Sequence, residues 1–407
     1  MRCMLEFYIS KDILGTSKSL VHSSDGTFKW EDSPKSDYAV GDASALISIA
    51  EIAKLLDINV NLEIGSQKQK NAFAELGVSE RQIMWSSALP PQTFYNRLRY
   101  ISEEVKKIIC AYGNTEYGQT YKECKEFLRS LSRASVNVEK IQHYIENCKS
   151  GPSVVSSLKS FLPPKGENYA PQAIYSQTST STGRLVVKSG PSILTLPAKN
   201  RDILKSSVGG KIFQVDFVSL EPRVMRYVNN HPAPDDIYSD IKNKLFNSEI
   251  ERKIVKLATL SALYGSSYRS ISEITGNKEA SKNVVRRVRQ YFEVDRMERG
   301  LMRILHEEKQ IANYYGRPLK IEDPRPNILI SHYVQSTAVD TALLGFSKLM
   351  KDLTLLKIVP IYVIHDAVVV DVPMNKIEEF YEICNNGIQL PLGQFKFDVT
   401  QLSADGE

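Results

Sequence analysis

Lys211 to Arg223, KIFQVDFVSLEPR, is the stretch on which the reading of the whole chain turns. Ile212, Val215 and Phe217 read as a short apolar strand, and Asp216 lies where that strand meets Val218 to Arg223, a turn into a helix. Alone, an Asp in that place does no more than cap a turn. Its weight comes from a second stretch, Ile361 to Val372 (IYVIHDAVVVDV), a β-prone run with His365-Asp366 at its centre. Two carboxylates on neighbouring strand ends form the donor set of a two-metal phosphoryl-transfer site. In such a site two divalent cations about 4 Å apart, held by hard oxygens, act on the nucleophile and the leaving group.

The chain has 407 residues, enough for two or three structural units. Its five cysteines (Cys3, Cys110, Cys124, Cys148, Cys384) are odd in number and show no CxxC spacing, so neither a zinc site nor a disulfide framework is expected. A reducing, intracellular, cytoplasmic setting follows. The N-terminus, MRCMLEFYISKD, meets charge too soon for a signal peptide, and no apolar run approaches the roughly 18 residues of a membrane span. Net charge is +5 but unevenly placed: residues 251–320 hold 15 Lys and Arg against 8 Asp and Glu. A basic segment in an otherwise near-neutral chain points to a polyanionic partner, nucleic acid or triphosphate, unless it is merely a solvated helical face.

Residues 1–88 read as a small α/β unit: strands at Met4–Ile9, Thr27–Trp30 and Val60–Ile64, helices at Ser44–Leu56 and Lys68–Leu76. Their order is faintly similar to the ribonuclease H-like fold of proofreading exonucleases. Such domains need an Asp-x-Glu on the first strand, which is missing here, so a non-catalytic module is expected. Residues 89–165 carry helical patterns at Tyr100–Tyr112, Tyr121–Leu131 and Val136–Cys148, ending at Leu162-Pro163-Pro164. The Ser- and Thr-rich stretch Ala170 to Gly190 reads, alone, as a linker.

Its surroundings reverse that reading. Thr180 to Leu185 (TSTGRL) and Pro191 to Pro197 (PSILTLP) resemble the TxTGRL and PNLQNIP signature of family A DNA polymerases, the DNA polymerase I group. Asp216 to Arg223 (DFVSLEPR) resembles that family's motif A, DYSQIELR, with the Asp, the aromatic, the Glu and the Arg in register. Arg252 to Gly265 (RKIVKLATLSALYG) is similar to the fingers helix, Gln335 to Asp340 (QSTAVD) to QGTAAD, and Ile364 to Ala367 (IHDA) to motif C, VHDE. Ser157 to Pro163 is similar to the last thumb helix. The matches span residues 157 to about 372 in the family's order, which chance does not supply.

The resemblance implies a multidomain α/β right hand: thumb 89–165, palm 166–235 and 331–407, fingers 236–330, and the N-terminal domain 1–88. It implies a DNA-directed DNA polymerase, working as a monomer on primer-template DNA and dNTPs with two Mg2+ ions, Mn2+ being a substitute. Asp216, Asp366 and the carbonyl of Phe217 would hold the metals. Arg252, Lys256, Leu260 and Tyr264 recur every four residues and so share one helix face. On its own that face is an amphipathic helix with two solvated cations. In the motif context Arg252 and Lys256 would grip the triphosphate, Lys256 would protonate pyrophosphate, and Tyr264 would pack near the nascent pair. Tyr238 stands where the family often has a His touching the triphosphate, and Glu221 where it has a steric gate beside the sugar. Thr182, Arg184, Gln335 and His365 would meet the DNA, Arg184 and Gln335 in the minor groove at the primer terminus.

Several positions depart from the family pattern. Leu260 replaces an aromatic, Ser261 a glycine, Ala367 the Glu of motif C, Leu194-Thr195 a Gln-Asn pair, and Pro222 follows the gate Glu. None removes a metal ligand, so activity is expected with altered nucleotide selectivity or lower efficiency. A promoter-dependent RNA polymerase relative, a translesion or gap-filling specialist and a catalytically weak DNA-binding accessory protein are the alternatives. The missing nuclease signature points to a phage, plasmid or accessory bacterial enzyme without proofreading.

Overall fold

The computed structural model describes residues 6–23, 27–42, 45–147, 151–247, 249–264, 271–273 and 276–402. Met4, Ser44, Cys3, Cys148 and Gly265, singled out above, lie outside the described residues. The chain divides into two compact units, Met1–Arg129 and Ser130–Glu407. Among the described residues no helix is long and apolar enough to cross a membrane. Cys110 is exposed, and Cys124 and Cys384 are buried.

In the first unit five short strands, β1 (Phe7–Ile9), β2 (Ser19–His22), β3 (Phe28–Glu31), β4 (Tyr38–Val40) and β5 (Ile47–Ser48), form one sheet in the order β3-β2-β1-β4-β5. β1 runs antiparallel to β2 and parallel to β4. Phe7, Tyr8 and Ile9 are all buried, as an apolar run at the centre of a mixed sheet must be. Helices α1 (Ile49–Leu55), α2 (Gln67–Glu75), α3 (Pro91–Gly113) and α4 (Gly118–Ser130) follow. The region expected to be helical from residue 44 begins instead as β5 and turns helical at Ile49.

The strand expected at Val60–Ile64 does not form. The carbonyls of Asn61 and Glu63, which a neighbouring strand would need, accept the guanidinium of Arg97 instead, at 2.9 and 2.7 Å. Helices α3 and α4 fall within the compact unit Met1–Arg129, apart from the last residue of α4. Lys125 of α4 makes a buried 2.9 Å ion pair with Glu51 of α1, and the Tyr121 hydroxyl donates to the same carboxylate.

The second unit centres on an antiparallel sheet of β8 (Gly210–Phe217), β11 (Val359–Ile364), β12 (Ala367–Pro373) and β13 (Phe397–Gln401), in the order β11-β12-β8-β13. Ahead of β8 come α5 (Val138–Glu146), α6 (Pro152–Lys159), β6 (Ile174–Ser176) and β7 (Val186–Ser189). Between β8 and β11 lie α7 (Leu220–Val228), α8 (Ile237–Phe246), α9 (Arg252–Tyr264), α10 (Lys278–Tyr291), α11 (Val294–Glu308), the hairpin β9 (Ile311–Ala312) to β10 (Pro318–Leu319), and α12 (Pro326–Leu353). The Ser- and Thr-rich stretch is thus no linker: it contributes the paired strands β6 and β7.

Val215, Val368 and Val370 are fully buried in this sheet, each worth about 1.5–3 kcal/mol over an exposed side chain. The 28-residue α12 packs against α7. Gly345 is required there because a Cβ would lie 2.5 Å from the ring of Phe217, the last residue of β8. That ring sits among Phe346, Phe395 and Phe397, which anchors the strand end bearing Asp216.

Candidate active site

The strand-then-helix reading of Lys211–Arg223 is what forms. β8 ends at Phe217, Ser219 takes a left-handed conformation (φ 52°, ψ 49°) and α7 begins at Leu220. Pro222 falls in the first turn of α7, where a missing N–H costs no helical hydrogen bond. The second stretch folds as the hairpin β11-β12, turning at His365 (φ 56°) and Asp366. Asp216 is the cross-strand partner of Ala367, and the Phe217 amide donates to the Asp366 carbonyl at 3.1 Å. Two acids 150 positions apart therefore meet at one sheet end.

They line a cavity of about 550 Å³ together with Phe217, Glu221, Tyr238, Lys256, Leu260 and Asp398. Burial, reinforced by Asp366 and Asp398, pushes the Asp216 carboxyl up to about 7, with Gln214 and Lys256 opposing. Asp366 is raised as well, chiefly by burial, against the opposing charges of His365, Arg184 and Lys256. Lys256 of α9 lines the same cavity as both acids. Crowded, partly desolvated carboxylates favour whatever cation or proton neutralises them.

Other predicted residues attach to this rim at one remove. Arg184 pairs with Glu221 at 3.1 Å; burial raises Glu221 while Arg184 opposes the shift. Arg252 is exposed and gripped by Asp236, Nε to Oδ2 at 3.0 Å and Nη2 to Oδ1 at 3.2 Å, with its guanidinium 5.1 Å above the ring of Tyr238. Thr182 is buried, Gln335 is half-buried and donates to Ser331, and His365 is exposed on the turn beside Asp366. Tyr264 closes the C-terminal end of α9. None of these four lines the cavity.

The family profile of DNA polymerase family A matches residues 99–402. The chain belongs to DNA polymerase family A. The family A polymerase fold also appears in three dimensions. The chain is similar to the POL domain of Pol1 from M. smegmatis in complex with DNA primer-template and dNTP, at TM-score 0.66 and 11% identity, covering 95% of this chain and 92% of that one. No curated protein sequence matches the chain. As a family A member it is a DNA-directed DNA polymerase, a family that uses divalent metals.

One residue of this polymerase escaped the reading of its sequence. Asp398 on β13 is the cross-strand partner of Asp216 on the side opposite Ala367, so the three side chains form one row on one face of the sheet. Its only local signal is an acid in the alternating strand Phe397–Gln401, which many solvated strands share. Among the described residues no three His, Cys, Asp or Glu side chains form a ready-made metal cage. The carboxylates that line the cavity are those of Asp216, Glu221, Asp366 and Asp398.

Proposed function

We propose that the protein extends a primer 3′-hydroxyl by template-directed addition of deoxynucleoside monophosphates, releasing pyrophosphate, without proofreading. The observation that carries this reading is the meeting of Asp216 and Asp366 at one sheet end, where both line, with Lys256, a cavity large enough for a nucleotide. Asp216, Asp366 and the Phe217 carbonyl would hold two Mg2+ ions, or Mn2+, and the donor set fits: oxygen atoms only, with the Asp216 carboxyl raised first by burial and then by the charges of Asp366 and Asp398. Bound there, the cations would acidify the primer hydroxyl and neutralise the leaving phosphates.

The chain's own groups supply the rest. Lys256, which lines the cavity, would give the departing pyrophosphate a cation and a proton donor. Arg252 would exchange Asp236 for triphosphate oxygens. Glu221, held by Arg184, stands at the cavity wall, where a carboxylate would exclude a 2′-hydroxyl. Arg184 and Gln335 would probe minor-groove acceptors shared by all base pairs. Tyr238 would floor the triphosphate side, with Leu260 and Tyr264 along the nascent pair and Thr182 and His365 against the primer strand.

In this reading residues 89–165 serve as thumb, 166–235 and 331–407 as palm and 236–330 as fingers, while 1–88 is a non-catalytic module. The absence of any carboxylate from β1 (Phe-Tyr-Ile) supports the last point. The enzyme would act as a monomer of the phage, plasmid or accessory type, inside the cell. Leu260 at the cavity wall, in place of an aromatic, favours a gap-filling or translesion specialist. Primer extension with Mg2+ tests the core claim: wild type extends with dNTPs in preference to rNTPs, and Asp366→Asn abolishes extension. An Asp366→Asn enzyme that still extends at the wild-type rate refutes it.

A further inference from the structure

We infer that Arg317, held by Asp340, is a positioning residue for the primer terminus, propping the turn that carries Arg184 against the helix that carries Gln335. This rests on the proposed minor-groove role of Arg184. Both charged residues are buried, Arg317 at 2% and Asp340 at 0% exposure, and neither reaches the cavity of Asp216 and Asp366. The guanidinium of Arg317 lies 3.6 Å from Asp340 and donates to the carbonyl of Gln177. Gln177 also donates from its side chain to Asp340 Oδ1 at 3.3 Å.

Asn313 closes the network from the β9-β10 hairpin. Its amide nitrogen donates to Asp340 Oδ2 at 2.7 Å and to the Ser336 hydroxyl at 3.0 Å, and its oxygen accepts the backbone amides of Tyr315 and Arg317. One buried cluster thus joins the 177–184 segment, the hairpin 311–319 and α12 at the turn next to Gln335.

The contact with the Arg184 turn is steric as well as polar. Gly183 has φ +76°, and a Cβ there would lie 2.4 Å from the guanidinium carbon of Arg317. The residue before the exposed Arg184 is therefore seated directly on Arg317. A buried ion pair is a weak source of stability compared with apolar packing, but its geometry is demanding, which suits a part whose task is to fix direction. The pair lines no part of the cavity of Asp216 and Asp366, so it acts through Arg184 and Gln335.

The test is single-turnover extension of a matched primer ending in guanine, compared with the same primer ending in 3-deazaguanine, which lacks the minor-groove acceptor. The ratio of the two rates is independent of how much enzyme is folded. A charge-assisted hydrogen bond is expected to make the analogue about tenfold slower or more in wild type. In Asp340→Asn the ratio falls below about threefold, as it does in Arg184→Ala, while KM for the incoming dNTP stays within about threefold of wild type. Gly183→Ala, which displaces the guanidinium but keeps both charges, carries the same expectation if Asp340→Asn fails to fold. Retention of the full wild-type ratio in both variants, whatever their melting temperatures, overturns the inference. A wild type that extends both primers equally overturns the role of Arg184 itself, and a wild type that extends neither overturns the polymerase reading.

Discussion

Replacing Asp216 with Asn should stabilise the metal-free protein at pH 8. Burial, with Asp366 and Asp398 adding their charge, lifts the Asp216 carboxyl from an ordinary 3.8 to about 7. Between those values the folded state keeps a proton that the unfolded chain has released, so stability falls as pH rises through the window. Above pH 7 the ionised carboxylate costs the fold about 4 kcal/mol at about 1.4 kcal/mol per tenfold. Partial solvent contact and sharing of the charge reduce this to about 2 kcal/mol. Asn keeps the shape and removes the charge. Denaturant unfolding of the second unit's sheet, followed in chelator at pH 4 and pH 8, should show the variant ahead by about 2 kcal/mol at pH 8 and nearly level at pH 4. Adding Mg2+ at pH 8 should close the gap by stabilising wild type alone. A wild type whose stability is flat or rising from pH 4 to pH 8, or a variant no more stable at pH 8, would refute the view that this site is held in electrostatic tension.

Glu221→Ala removes a carboxylate from the cavity wall and leaves Arg184 without its 3.1 Å partner; ribonucleotide incorporation relative to deoxyribonucleotide should rise at least tenfold in competition assays, and an unchanged ratio would remove Glu221 from the gate. Tyr175 bridges the edge of β11, its buried hydroxyl donating to the Val363 carbonyl at 3.0 Å and accepting the Val363 amide at 3.1 Å. Tyr175→Phe strands both groups and should cost about 1–3 kcal/mol, read as a lower denaturant midpoint with unchanged slope. Asp236 caps α8 and grips Arg252; burial works against its ionisation, yet Arg252 and Ser239 hold its carboxyl down to about 2. Asp236→Ala should cost about 1 kcal/mol of stability through the lost cap and lower KM for dNTP by freeing Arg252. A raised KM would show that the pair orients Arg252 instead of withholding it.

Local pattern was enough to place the decisive parts. The alternation ending at Asp216, the β-prone run around His365-Asp366 and the four-residue spacing of Arg252, Lys256, Leu260 and Tyr264 each reflect a period that a strand or helix imposes on its own segment, and the order of the motifs named the family. Local pattern also misled where a neighbour decided the outcome. Val60–Ile64 alternates as a strand should, but Arg97 takes its carbonyls, and Ala170–Gly190 has a linker's composition but pairs as β6 and β7. Asp398 beside Asp216, Asp236 on Arg252 and Arg317 under Gly183 are products of tertiary structure alone. Cross-strand register and the reach of a guanidinium join residues tens to hundreds of positions apart, and no periodicity within a segment encodes which distant partner will arrive.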